Sequence, residues 1–262
     1  MWVVLSESKR IINSQPRLYL NLSLIFLLPL SFLILISQLI IKHLQQQQPP
    51  TNPTIIISLS LLFLVFSSIF SYSAIITITY SVYNAFFNRP VKLKEAIKSI
   101  STSFFPLLAT EAIISASFIV NFLLFVFLIK SYSYLVVLFS MVLMLAFMTY
   151  LIVNLSLEKV IVVVESSWGL EPLKRSWKLV KGMRKLVFSI LYFFGFLEVI
   201  LLWISGYSLI LIFVISPIQT MLFLYNIAVF TVIYIYCKEK HTEVGDEEFE
   251  KAKDEASLSL IP

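Results

Sequence analysis

Cysteine, histidine and glycine are scarce in this chain: one Cys, two His and five Gly among 262 residues. The lone Cys237 excludes an internal disulfide. His43 and His241 fall in opposite aqueous regions of the apolar pattern described below. Neither can therefore pair with the other, or with a serine inside a span, as nucleophile and base. No HExxH, Cys and His cluster, Walker loop or GxSxG occurs, so metalloprotease, P-loop and serine-hydrolase chemistry have no signature. So few glycines leave little material for phosphate-cradling loops. The GxxxG contact of membrane helices is missing too, and packing must rest on Ser, Ala and Thr. These absences predict a protein that is not an enzyme and holds no cofactor or metal.

Charge is also sparse, at 13% of residues, while 59% are hydrophobic and 23 are Phe. A mean hydropathy of +0.91 is too high for a water-soluble core to absorb, which marks an integral membrane protein. Bases gather in loops, whereas eight of the 15 acids lie at or after Glu239. The net charge of +5 therefore bears on topology and lipid contact, and predicts no nucleic-acid partner.

Six apolar stretches approach or exceed the roughly 20 helical residues needed to cross a hydrocarbon core of about 30 Å. They are 18–41, 55–80, 104–129, 134–155, 186–204 and 208–236. Their separators are a glutamine and proline linker after Lys42, the KSYS break at Lys130, and SGYS at Ser205. Pro29 and Pro217 mark bends in the first and sixth spans. Residues 1–17 read as an amphipathic segment, broken near Pro16, with Trp2, Leu5, Ile11 and Ile12 as its apolar residues. Lys9, Arg10 and Arg17 follow apolar residues there and no small-residue cleavage pattern comes after, unlike a cleavable signal. Residues 158–165 are apolar enough to extend the fourth span's helix past the interface. Residues 238–262 form an acidic, mixed-charge tail expected to be disordered or loosely helical. The fold class is thus all-α: a polytopic membrane bundle of six helices with amphipathic interfacial helices.

Alternate loops divide the cations unevenly. One side collects 18 of the 20 Lys and Arg residues, and the other receives only Lys42 and Lys130. The positive-inside rule then predicts that both termini and both long basic loops are cytosolic.

The stretch GLEPLKRSWKLVKGMRK, from Gly169 to Lys185, concentrates six of those bases. As a helix starting at Pro172 it sets Leu173, Trp177 and Val180 on one side, and Lys174, Lys178, Lys181 and Lys185 on another. Such a helix suits a membrane surface, where each cation near anionic lipid contributes roughly 1 kcal/mol. A plain positive-inside loop would carry the same bases. Trp177 is the expected anchor. Lys174, Arg175, Lys178, Lys181, Arg184 and Lys185 are the expected headgroup contacts, joined by Lys92, Lys94 and Lys98 from a second basic segment after Pro90. Aligning LKEAIKSI from Leu93 with LKRSWKLV from Leu173 matches Leu, Lys and Lys at identical spacing, and SKRIINS near Lys9 fits more loosely. A basic helix feeding an apolar hairpin, three times over, is a candidate repeat; six-span topology alone also produces basic segments at this interval.

The block VVVESSWGLEPLKRSWKLVKGMRKLVFSIL, with SESKRIINSQPRLYLNLSLIFLLPLSFLILIS upstream, resembles blocks of a family of uncharacterised six-span plant transmembrane proteins. That family is distantly similar to the membrane domain attached to some bacterial glycerophosphodiester phosphodiesterases. The matching pattern is an acid, a Gly and then L-K-R-S-x-K-L-x-K-G, here Glu165, Gly169, Leu173 to Ser176, Lys178, Leu179, Lys181 and Gly182. The resemblance implies fold and membrane location. It carries no catalytic residue, and the bacterial soluble domain has no counterpart in this chain.

Glu111 and Glu198 are the acids within the apolar spans. A carboxyl group at membrane depth is costly and marks either a polar contact between helices or a site that handles ions or solutes. With no cation inside a span, both are expected to sit as neutral acids, bonded to Asn121, Asn154, Asn226 or a backbone carbonyl. Two functions follow. The first is a non-enzymatic component that binds anionic lipid through its basic helices. The alternative is a small transporter or channel using Glu111, Glu198 and the Pro217 discontinuity. A polar cavity reaching both carboxyls favours transport, and a filled bundle favours the structural role. Cys237, beside a predicted boundary, is either a palmitoylation site or an ordinary buried thiol.

Overall fold

A computed structural model describes residues 1–46, 53–129, 134–206 and 208–258; at 124–125, 127–129, 134–136 and 241–258 it describes the helical backbone only. The Lys130 to Ser133 break, residues 47–52 of the glutamine and proline linker, and Tyr207 of the SGYS break lie outside the described residues.

The chain is an all-α polytopic bundle in which six helices are long and apolar enough to cross a membrane. Helix α1 (Trp2–Ser14) lies against the bundle through Val4, Ser8, Ile11 and Ile12, while Trp2 is exposed. Pro16 then opens α2 (Pro16–Leu22), a position where its missing N–H costs nothing. A π-helical turn, Ser23–Leu27, joins α2 to α3 (Leu28–Gln46), and the Leu28 N–H bonds back to the Ser23 carbonyl. The wider turn falls just before Pro29, whose ring would collide with the carbonyl four residues earlier in a regular helix.

Helix α4 (Pro53–Phe86) is 34 residues long. At about 1.5 Å per residue it overshoots the hydrocarbon core and enters the headgroup layer. Asn88, at φ 56°, turns the chain into α5 (Leu93–Ile129). The basic segment from Leu93 is therefore no separate surface helix but the first turns of α5, because no Gly or Pro interrupts it before Phe104. The candidate repeat accordingly differs in form between its second and third units.

Helix α6 (Tyr134–Leu155) does not run on unbroken. Ser156 and Leu157 form a turn before α7 (Glu158–Glu165), which ends at Ser166 with φ 52°. Gly169, at φ 76°, a conformation suited to glycine, opens α8 (Leu170–Val180). Helix α8 thus begins before Pro172. A turn through Gly182 leads to α9 (Arg184–Ser205), and α10 (Leu209–Leu258) completes the chain. Of the two alternatives for the tail, disordered or loosely helical, the backbone takes the helical one, continuing α10 to Leu258.

The face of α8 turned inward is Pro172, Ser176 and Val180; Leu173 is half-buried and Trp177 is 38% exposed. Of the expected apolar side, Val180 packs into the bundle while Trp177 stands outward, where a membrane anchor belongs. The small Ser176 is what permits close approach: its hydroxyl donates to the Asn154 carbonyl at 2.7 Å and accepts the Leu157 N–H at 3.3 Å. It satisfies backbone groups that the α6 to α7 break sets free.

The core lies where α1, the α2 to α3 segment, α4, α7, α8 and α10 converge, around Tyr19, Leu22, Ile78, Val82, Ile161, Val180, Val229 and Tyr234. Glu165 fastens this end. Its carboxylate accepts from Arg175, from Tyr234 Oη at 2.7 Å and from Lys238 at 3.1 Å. At the other end of the bundle, Lys42 donates to the Gly206 carbonyl at 3.4 Å.

Candidate intramembrane chamber

Helices α4, α5, α6, α9 and α10 pack in that order around a ring, with α10 closing back on α4. Among the described residues, helices facing each other across the ring make no extensive contact, which leaves its middle hollow. Helix α7 packs on α4, α5, α8 and α10 and forms the floor at the end that carries the basic loops.

Two adjoining cavities occupy the hollow, of about 330 Å³ and 480 Å³. Glu111 from α5, Lys159 from α7, and Asn226, Ile227 and Ile75 from the ring line both, so these side chains form the partition. The smaller cavity adds Thr79, Ser156 and Glu158 to a wall of Ile114, Phe118, Leu191 and Phe230. The larger adds Ser67, Ser68, Ser71, Tyr72 and Glu198. Leu27, Leu30, Ile34 and Phe223 line it as well, so it is a mainly apolar space with a serine-rich wall that reaches both intramembrane carboxyls.

At the partition, Lys159 Nζ stands 2.6 Å from Glu111 Oε1 as an ion pair. This corrects the expectation that no cation stands beside Glu111. The Lys159 side chain is 39% exposed although α7 itself is buried, since it faces the cavities. Glu158, only 4% exposed, sits beside Lys159 in the first turn of α7 and lines the smaller cavity. The Oδ1 of Asn226 and the hydroxyl of Thr79 are buried without a hydrogen-bond partner, both beside the smaller cavity. Unmet acceptors and donors facing a cavity are open to a ligand or to water.

The other expected asparagines do not join this group. Asn121 donates to the Ser117 carbonyl at 2.9 Å and Asn154 to the Tyr150 carbonyl at 2.7 Å, each within its own helix. Neither bonds a carboxyl group: an amide four residues after a helical carbonyl satisfies itself locally. Sequence reasoning missed Lys159 and Glu158. The signal available was their adjacency to the end of an apolar stretch, which instead placed Lys159 among loop cations.

Among the basic residues, Lys92, Lys94, Lys98, Lys174, Lys178, Lys181 and Lys185 are exposed, as headgroup contacts must be. Arg175 differs: it bonds Glu165 and also Glu171 at 2.7 Å. The hydrogen bond to Glu165 and then that residue's charge raise its pKa above the usual guanidinium value. Trp177 lies edge-on to Tyr150 at 5.4 Å. Cys237 is 1% exposed, with its thiol 3.4 Å from Met183 Sδ, which makes it a buried thiol. Among the described residues no group of three His, Cys, Asp or Glu gathers as metal ligands. Compared with known protein families, curated proteins and solved structures, the chain finds no match.

Proposed function

We propose that this multi-pass membrane protein is a carrier for a small organic ammonium cation, held in the chamber without covalent chemistry. The supporting observation is the cavity that joins Glu111 and Glu198 across the Lys159 pair. Beyond the Glu111 and Lys159 pair each cavity carries one further carboxyl group, Glu158 in the smaller and Glu198 in the larger, which favours a positive guest. The apolar walls suit an organic cation better than a bare ion, which would need a cage of oxygens. Helix α7 closes the floor, so release to the basic end requires α7 to move, as alternating access demands.

The test uses the full chain in proteoliposomes with labelled ethanolamine and tetramethylammonium as probes, and labelled acetate as control. Saturable uptake of either cation, cut about tenfold or more in Glu111→Gln/Glu198→Gln, supports the reading, since the site loses charges that offset the guest's desolvation. Uptake that survives both substitutions, or equal uptake of acetate, removes it.

The exposed cations Lys174, Lys178 and Lys181 favour a second reading, in which α8 binds anionic lipid on the membrane surface. With Arg175 engaged by Glu165 and Glu171, that surface is weaker than its sequence implies.

A further inference from the structure

The floor of the chamber leaves Arg184 and Lys185 unused. Arg184 is the first residue of α9, and its guanidinium carbon lies 5.6 Å from the centroid of the Tyr150 ring on α6. Its Nε is buried and has no hydrogen-bond partner, and among the described residues neither cation forms a salt bridge. Below them runs a groove of about 410 Å³ between α6 and α9, lined by Ala146, Thr149, Val153 and Phe188. Tyr150 and Phe188 are each 43% exposed on the face that a bilayer covers.

We propose that this groove is a binding site for one anionic phospholipid. An apolar channel along two spanning helices is occupied by an acyl chain in any bilayer, and the charged end of the groove selects the headgroup. A phosphodiester placed there accepts from the Arg184 guanidinium and Lys185 Nζ and meets the free N–H groups of the first turn of α9. A headgroup with its own amine would compete with those cations. A phosphatidylglycerol-like lipid leaves the phosphate charge for the protein. The aromatic pair Tyr150 and Trp177 sits beside the same headgroup level, where amphipathic rings are favoured. The site stands apart from the chamber and does not rest on its contents.

The experiment is native mass spectrometry of the full chain released from neutral detergent, titrated with phosphatidylglycerol, phosphatidylcholine and free glycerophosphate. Arg184→Gln/Lys185→Gln is expected to lose about thirtyfold of the preference for phosphatidylglycerol over phosphatidylcholine, from two cations near the surface. Ala146→Trp, which fills the groove from its lipid side and keeps both cations, is expected to weaken phosphatidylglycerol binding as well. This second variant carries the test if the first fails to fold. Lys174→Gln/Lys178→Gln/Lys181→Gln on α8 is expected to change the preference far less. The proposal is overturned by an unchanged preference in Arg184→Gln/Lys185→Gln, by unchanged binding in Ala146→Trp, by an equal loss in the α8 triple variant, or by glycerophosphate binding as tightly as the lipid.

Discussion

Replacing Lys159 by methionine tests the partition of the chamber, because it keeps the chain length of the side chain and leaves Glu111 facing a hollow without its counter-charge. The pair stands at 2.6 Å, with side chains 39% and 19% exposed for Lys159 and Glu111. At an effective dielectric constant of about 20, a separation near this distance gives roughly 6 kcal/mol of gross attraction. Desolvation of both ions cancels most of it, and the exposure of Lys159 moves the net value toward that of surface pairs. A coupling of about 1–3 kcal/mol remains, between the exposed and buried limits. The assay is a double-mutant cycle with Lys159→Met, Glu111→Gln and the combination, unfolding the full chain with dodecyl sulfate in mixed micelles and following tryptophan fluorescence. The combined variant should be less destabilised than the two single effects added together. Ser31→Ala combined with Lys159→Met serves as the reference and should be close to additive, since Ser31 lines neither cavity. If Lys159→Met and Glu111→Gln also add to within about 0.5 kcal/mol, the two side chains do not interact and the partition is not as described.

Two further outcomes follow from contacts outside the partition. Ser31 is fully buried, donates to the Leu28 carbonyl and lies 2.6 Å from Ser216 Oγ and 3.1 Å from Thr220 Oγ1, on either side of Pro217. Ser31→Ala should lower stability by about 1 kcal/mol in thermal unfolding in micelles, since the two partner hydroxyls can fall back on their own helix carbonyls. Tyr234→Phe removes the 2.7 Å bond to Glu165 and should cost about 1–2 kcal/mol. Its readout is faster maleimide labelling of Cys237, which at 1% exposure should react slowly in the native protein.

Spans were legible because hydrocarbon imposes a length, and 18–41 and 55–80 fall inside the helical segments Pro16–Gln46 and Pro53–Phe86. Their ends were not, since these helices continue through the headgroup layer with no change in backbone hydrogen bonding. Glu111 and Glu198 were legible as site residues because charge stands out against an apolar run. Lys159 was hidden for the opposite reason: it follows the apolar stretch of α6, where a cation reads as loop. Only the fold reveals that α7 tucks beneath the ring. On α8 the sequence placed Trp177 on a membrane-facing side, and the residue does stand outward. There was no sign of the face that packs inward, because lipid is as apolar as leucine and the small polar Ser176, which lets backbones approach, is the residue that turned in.

Helix α7 has eight residues, about 12 Å of rigid rod at the usual rise. One end bears Lys159 inside the bundle, and the other bears Glu165, tied to Arg175 and Lys238 at the aqueous boundary. A rod anchored this way acts as a lever. If the proposed guest displaces Lys159 from Glu111, a rigid α7 carries that displacement to Glu165 and so to its ion pair with Arg175 on α8.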